Sequence, residues 1–219
     1  MMPSRPAMAR VMGLALVVAA TAASPAQNFE GILTYTVTSH HTTSDVKYYS
    51  KGDRMRVEVS GTDDAGMIML MDGNSTTMVM LIPQTQTYME QQMEEDVPDG
   101  PGTGEGFSFR KTGKTTEICG YRSDQFHITA DGEQIELWAT RALGKMVQLK
   151  AVQGNARGGM EVIERELGEK GYIPLRIIQT RDGEEEMRME AVAVEKKTLP
   201  ADLFTIPKGY TKMELPFRR

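Results

Sequence analysis

The chain has 219 residues, 40% of them hydrophobic and 25% charged, with 25 Lys and Arg against 30 Asp and Glu for a net charge of −5. These values suit one globular domain, or two small ones, and argue against wholesale disorder. An acidic balance without a basic stripe argues against a nucleic-acid partner. A single Cys excludes an internal disulfide framework and a Cys-based zinc cluster.

Residues 1–26 read as a cleaved export signal. Arg5 and Arg10 form a basic start, residues 11–20 (VMGLALVVAA) an apolar run too short to span a bilayer comfortably, and Ser24-Pro25-Ala26 a cleavage site before Gln27. Cleavage leaves 193 residues with a net charge of −7 and no further segment apolar enough to cross a membrane. The expected product is soluble and periplasmic or secreted. There Cys119 is an isolated thiol, expected to be buried and inert.

Period-two patterns dominate the chain beyond the signal. Strands are expected at 29–39 (FEGILTYTVTS), 46–50 and 54–60 (RMRVEVS), the last two separated by the turn Lys51-Gly52-Asp53. Residues 66–72 (GMIMLMD) and 77–83 (TMVMLIP) flank Gly73-Asn74-Ser75 as a hairpin, and 86–91 (QTYMEQ) can pair next. Later strands are expected at 115–118, 121–130, 134–140, 174–180 and 185–195, with Arg181-Asp182-Gly183 as another hairpin turn. The acidic, Gly- and Pro-rich stretch 92–106 reads as a flexible loop. Over 142–168 the spacing becomes helical: Leu143, Met146 and Val147, then Met160, Ile163 and Leu167, predict two short amphipathic helices inserted between strands and covering one sheet face. The expected fold is all-β dominated, a long antiparallel meander, open or closed, with this small α insertion in a single domain over 27–219.

Signals for chemistry are sparse. Thr112-Gly113-Lys114-Thr115-Thr116 imitates part of a phosphate loop, but the Gly required five residues before the Gly-Lys pair is Ser108, so the segment reads as a turn. No Gly-x-Ser-x-Gly elbow is present. His127 lies in mid-strand, and the neighbours His40 and His41 would point to opposite sheet faces. No carboxylate pair is marked out by context. The expectation is no catalytic residue, no cofactor, no resident metal site, and hence no enzyme.

Methionine is the unusual feature. Thirteen of the 17 lie beyond residue 26. Met67, Met69 and Met71 share one strand face, with Ile68 and Leu70 on the other; Met78, Met80 and Ile82 repeat the pattern opposite Val79 and Leu81. A hairpin apolar on both faces needs two covers, one of them a core and the other a second layer or a ligand. Three readings compete: a sheet packed on both sides, a concave surface for an apolar ligand such as an acyl chain, and Cu(I) held by thioethers. Flexible, polarizable Met suits varied apolar guests.

Several segments, in order, resemble an uncharacterised family of exported bacterial domains related to the lipoprotein-carrier (LolA/LolB-like) superfamily. They are 48–61 (YYSKGDRMRVEVSG), the Met hairpin ending in Pro83, the QTYMEQ strand, Glu136-Leu137-Trp138-Ala139-Thr140 with Leu143-Gly144, Ile173-Pro174-Leu175-Arg176, and the closing stretch 199–210 (LPADLFTIPKGY). The resemblance implies a curved, half-open antiparallel β-barrel whose concave face binds acyl groups beneath short helices. One departure is visible: carriers begin with a helix that plugs the barrel, whereas here a strand begins almost at Gln27. The sequence therefore points to a non-enzymatic protein for an apolar or lipid-like ligand, an acyl chain or a lipoprotein. Its lining would be Met67, Met69, Met71, Met78 and Met80, with Trp138 as a core or lid anchor. The alternatives are a cell-envelope interaction module with a filled core, and a Met-rich copper-binding protein.

Overall fold

A computed structural model describes residues 28–39, 42–60, 66–92, 107–130, 132–146, 167–168 and 170–213. The export signal, His40 and His41, the acidic loop beyond Gln92 and residues 147–166 lie outside the described residues.

The strands are β1 (Gly31–Ser39), β2 (Thr42–Lys51), β3 (Arg54–Val59), β4 (Met67–Asp72), β5 (Thr77–Ile82), β6 (Thr87–Gln92), β7 (Ser108–Ile118), β8 (Tyr121–Ala130), β9 (Glu133–Thr140), β10 (Ile173–Arg181), β11 (Glu184–Lys196) and the two-residue β12 (Thr211–Lys212). They form one 12-stranded sheet in the order β12-β6-β5-β4-β3-β2-β1-β11-β10-β9-β8-β7. All ladders are antiparallel except β12 on β6. Among the described residues no ladder joins β7 to β6 or β12, so the sheet is open and does not close into a barrel.

It is nevertheless strongly curved. Neighbouring strands lie about 4.8 Å apart, so in a flat sheet a Tyr side chain cannot reach a carbonyl two strands away. Here Tyr35 on β1 donates to the Pro174 carbonyl on β10 at 2.7 Å, across the intervening β11. The Cys119 thiol, in the turn between β7 and β8, likewise donates to the Ala191 carbonyl on β11 at 3.2 Å. Bulges between Thr34 and Tyr35 and between Pro174 and Arg176 supply local bending.

Local chemistry explains the hairpins. The β7–β8 and β10–β11 turns each place two successive residues at positive φ, Cys119-Gly120 (52° and 79°) and Asp182-Gly183 (53° and 86°), the twist that matches paired strands. Cys119 therefore sits exposed at a turn rather than buried as expected. Burial of the sulfur, then Glu190, still holds its pKa above the ordinary thiol range. The Thr-Gly-Lys-Thr-Thr segment is not a turn but a bulge inside β7: the ladder skips from Lys111 to Thr115. Lys114 N–H bonds to Thr112 Oγ1 there.

The expected helices are not shown. Residues 141–146 form a turn and a short bridge in which Asn28 pairs with Lys145, and Phe29 N–H donates to the Lys145 carbonyl at 2.6 Å. Leu143 and Met146, read as one helical face, instead pack with Phe29 because this turn folds back onto the start of β1. The rest of the expected insertion, 147–166, lies outside the described residues.

The C-terminal segment 197–213 crosses the outer face. Lys51 Nζ and Leu199 N–H both donate to Glu30 Oε1 at 2.9 Å, Arg56 Nη1 donates to the Leu203 carbonyl at 3.1 Å, and Thr211 N–H reaches the Gln86 carbonyl at 2.9 Å. A 3-10 turn over Ala201–Phe204 makes the corner. This strap lies on the face that carries Leu70 and Leu81, which are buried. It is the second cover that a hairpin apolar on both faces requires. Among the described residues no helix is long and apolar enough to cross a membrane.

Candidate functional site: the methionine face

On the inner face the register aligns side chains into transverse rows, because directly opposed residues of antiparallel strands project to the same side. One row runs Leu33, Tyr48, Val57, Met69, Met80, Met89 across six strands, β1 to β6. A second runs Ser50, Met55, Met71, and a third Tyr35, Val46, Val59, Met67. Val46, Met55, Val57, Met69, Met71 and Met78 form one buried cluster, with Met67, Met80, Val37, Val59 and Tyr48 half-buried against it. The structure thus brings together all five methionines expected to line the face.

Six contributors were not singled out from sequence: Val37, Val46, Tyr48, Met55, Val57 and Val59. The alternation of RMRVEVS puts Met55 and Val57 on one side and Arg54, Arg56 and Glu58 on the other. Only the β3–β4 register shows that this apolar side continues the Met hairpin. Trp138 is not part of the cluster. Its indole N–H donates to Glu136 Oε1 at 2.8 Å, and the ring packs against the neighbouring group built on Phe29, Leu33, Tyr35 and Leu175.

Electrostatically the face is quiet. Tyr35 and Tyr48 meet edge to face at 5.3 Å. Burial pushes the Tyr48 hydroxyl up to about 12 and raises Tyr35 further, so neither ionises at neutral pH. Ser50 Oγ is buried in the Met55–Met71 row with no hydrogen-bond partner among the described residues. The charged groups stand on the opposite side of the same strands: Arg56 Nη2 pairs with Glu58 Oε1 at 2.7 Å and the Tyr49 hydroxyl donates to Glu58 Oε2 at 2.9 Å. Arg54 meets Asp72 at 3.7 Å on an exposed edge. Among the described residues no three His, Cys, Asp or Glu side chains converge as metal ligands. His127 faces Glu136 at 3.8 Å, a cross-strand pair. The arrangement offers apolar, deformable contact and one orphaned hydroxyl.

No curated protein matches the sequence. Among solved structures, the chain is similar to an uncharacterized conserved protein from Thermus thermophilus, at 12% identity and a TM-score of 0.52, over 84% of this chain and 90% of that one. It is also similar to MucB of Pseudomonas aeruginosa, solved in complex with MucA(peri), at 10% identity and a TM-score of 0.50, over 82% of this chain and 55% of that one. PNGF-II aligns at 16% identity and a TM-score of 0.45 over 84% of this chain. The chain spans about a third of the length of PNGF-II and just over half that of MucB. At these identities the first two likenesses describe a shared fold, and function must be argued from the site. Residues 29–210 match the family described as Domain of unknown function (DUF4412), and the chain belongs to that family.

Proposed function

We propose that this chain is a non-enzymatic binding protein, exported by a cleaved signal to the periplasm or the medium, that holds an apolar or lipid-like ligand against the inner methionine face. The ligand would be an acyl chain, free or carried by a lipoprotein. The observation that carries the reading is the six-strand row Leu33–Tyr48–Val57–Met69–Met80–Met89, an apolar track interrupted by no charge. Each methylene moved from water onto such a track contributes about 0.8 kcal/mol, so a short acyl chain suffices for useful affinity. Unbranched thioether side chains re-pack around guests of different shape. The half-buried Met67 and Met80 at the border of the cluster are the natural first contacts. Replacing both with Gln keeps side-chain length and adds polarity; acyl-chain binding is expected to fall at least tenfold while circular dichroism stays unchanged. Undiminished binding by the folded double variant would remove the face from the account.

A second reading has its own observation. Met55, Met69, Met71 and Met78 are already buried, Met55 completely, as in a filled core. With a fold shared by MucB in its complex with MucA(peri), this supports an envelope interaction module whose partner is a protein. A variant set that loses no lipid affinity because there is none to lose favours that reading.

A further inference from the structure

We infer that the ligand of the methionine face is an anionic amphiphile, and that its carboxylate or phosphate head is held at Arg141 and Lys111; this rests on the apolar-ligand reading above. Three separated elements meet there: Lys111 on β7, Asp124 and Phe126 on β8, and Arg141 and Tyr172 where β9 ends and β10 begins. Tyr172 is buried and donates its hydroxyl to Asp124 Oδ2 at 3.0 Å. Lys111 Nζ donates to the same oxygen at 2.6 Å and to the Tyr172 hydroxyl at 3.2 Å. Asp124 Oδ2 therefore accepts two hydrogen bonds, and Lys111 spends two of its three N–H groups on Asp124 and Tyr172. Burial alone would push Asp124 up, but the Lys111 and Tyr172 hydrogen bonds outweigh it and keep the carboxyl ionised, so the pair is neutral as a unit.

Arg141 supplies the uncompensated charge. Its guanidinium carbon lies over the Tyr172 ring, 4.3 Å from the centroid, the residue is exposed, and it meets no carboxylate among the described residues. Arg141 is exposed over the ring, and a guanidinium can receive a carboxylate or phosphate through two parallel hydrogen bonds. Lys111 Nζ lies 5.8 Å from the same ring centroid, so the two cations are no further apart than these two distances together. Lys170 Nζ lies 5.7 Å from the centre of Phe109, which stacks on Phe126 at 5.5 Å.

The direction of the apolar row decides in favour of an amphiphile over a free anion. From Lys111 the register runs Phe126, Leu137, Ile177, Met189, Val37 without a polar residue. Val37 packs against the methionine cluster, so this row, with Phe126, Leu137 and Ile177 buried as core, runs from the cationic end to the Met face.

The test compares dodecanoate, dodecanol and acetate by equilibrium dialysis with the full mature chain at low salt, in wild type, Arg141→Gln and Lys111→Gln. Dodecanoate is expected to bind at least about tenfold tighter than dodecanol. Arg141→Gln should bring that ratio close to one with dodecanol affinity unchanged, and Lys111→Gln should reduce it less. Retention of the ratio by both folded variants overturns the assignment, and so does acetate binding as tight as dodecanoate, which would mean an anion site unconnected to the track. Equal binding of dodecanoate and dodecanol by the wild type overturns the head-group site and leaves the apolar-ligand reading standing. Binding of neither overturns both.

Discussion

The two halves of the sheet fill the same inner face with different materials. From β2 to β6 the face is built of Met and Val, without a ring beyond Tyr48 in the buried cluster and its border. From β7 to β10 it is built of Phe126, Ile128, Ile135, Leu137, Tyr172 and Ile177, with Phe109 stacked on Phe126 and Tyr172 meeting Phe126 edge to face at 5.1 Å. Rings in such pairs hold fixed relative orientations, whereas Met has three rotatable bonds and a polarizable sulfur. One half is therefore suited to keep its shape and the other to change it. The charged cluster of Lys111, Arg141 and Tyr172 stands on the rigid half, where a fixed head-group geometry would need it.

The largest effect is expected where the halves join. Gly31 begins β1 at a φ of 152°, and a Cβ there would land on the Glu195 carbonyl oxygen of β11. Since β1–β11 is the ladder joining the two halves, Gly31→Ala should destabilise by several kcal/mol, enough to unfold a domain of ordinary stability. A Tm unchanged within a few degrees would show that the seam is not where the halves are held. Next, Phe126→Ala in the rigid half is expected to cost about 3–5 kcal/mol by urea unfolding, because the two rings packed on it cannot both collapse into the gap. Met78→Leu in the soft half should cost less than about 1.5 kcal/mol. Comparable losses would dissolve the contrast. Smaller again than the Phe126 loss, Arg56→Ala frees the Leu203 carbonyl and is expected to cost about 1.5–3 kcal/mol, with faster proteolysis of the C-terminal strap than of the sheet.

Asp124→Asn should have the smallest effect, about 1 kcal/mol or less, since Lys111 is half-exposed. Its sign is fixed by the lowered Asp124 pKa: the stabilisation is present above the unfolded carboxyl value, near pH 3.9, and is lost as pH falls through the folded value below it. The wild-type advantage over Asp124→Asn in chemical unfolding should therefore be constant near neutrality and vanish in strong acid. An advantage that grows on acidification would contradict the Lys111–Asp124–Tyr172 geometry.

Most of the strand order was legible because half-buried strands alternate. The segments read at β1 to β6 and β8 to β11 differ from the observed bounds by at most two residues, apart from β2, which starts four residues earlier through the polar Thr42-Thr43-Ser44-Asp45. The first part of β7 escaped because the bulge at 112–114 breaks the period, and β12 because two residues paired in parallel leave no pattern. The turn at 141–146 imitated a helix because Leu143 and Met146, three apart, both face the group around Phe29. The Met hairpin was visible as two neighbouring strands. Its continuation through Met55, Val57 and Tyr48 needed the register, and the meeting of Lys111, Asp124, Arg141 and Tyr172 needed the curvature, which no local pattern encodes.

The central claim is that the methionine face takes an apolar ligand. Native mass spectrometry of the mature protein, purified from its own envelope and followed by organic extraction, tests it most directly. The expected result is a defined mass excess that extracts as lipid and is lost in the Met67→Gln, Met80→Gln variant. An apo mass in the wild type, together with no uptake of added dodecanoate or dodecanol, would contradict it.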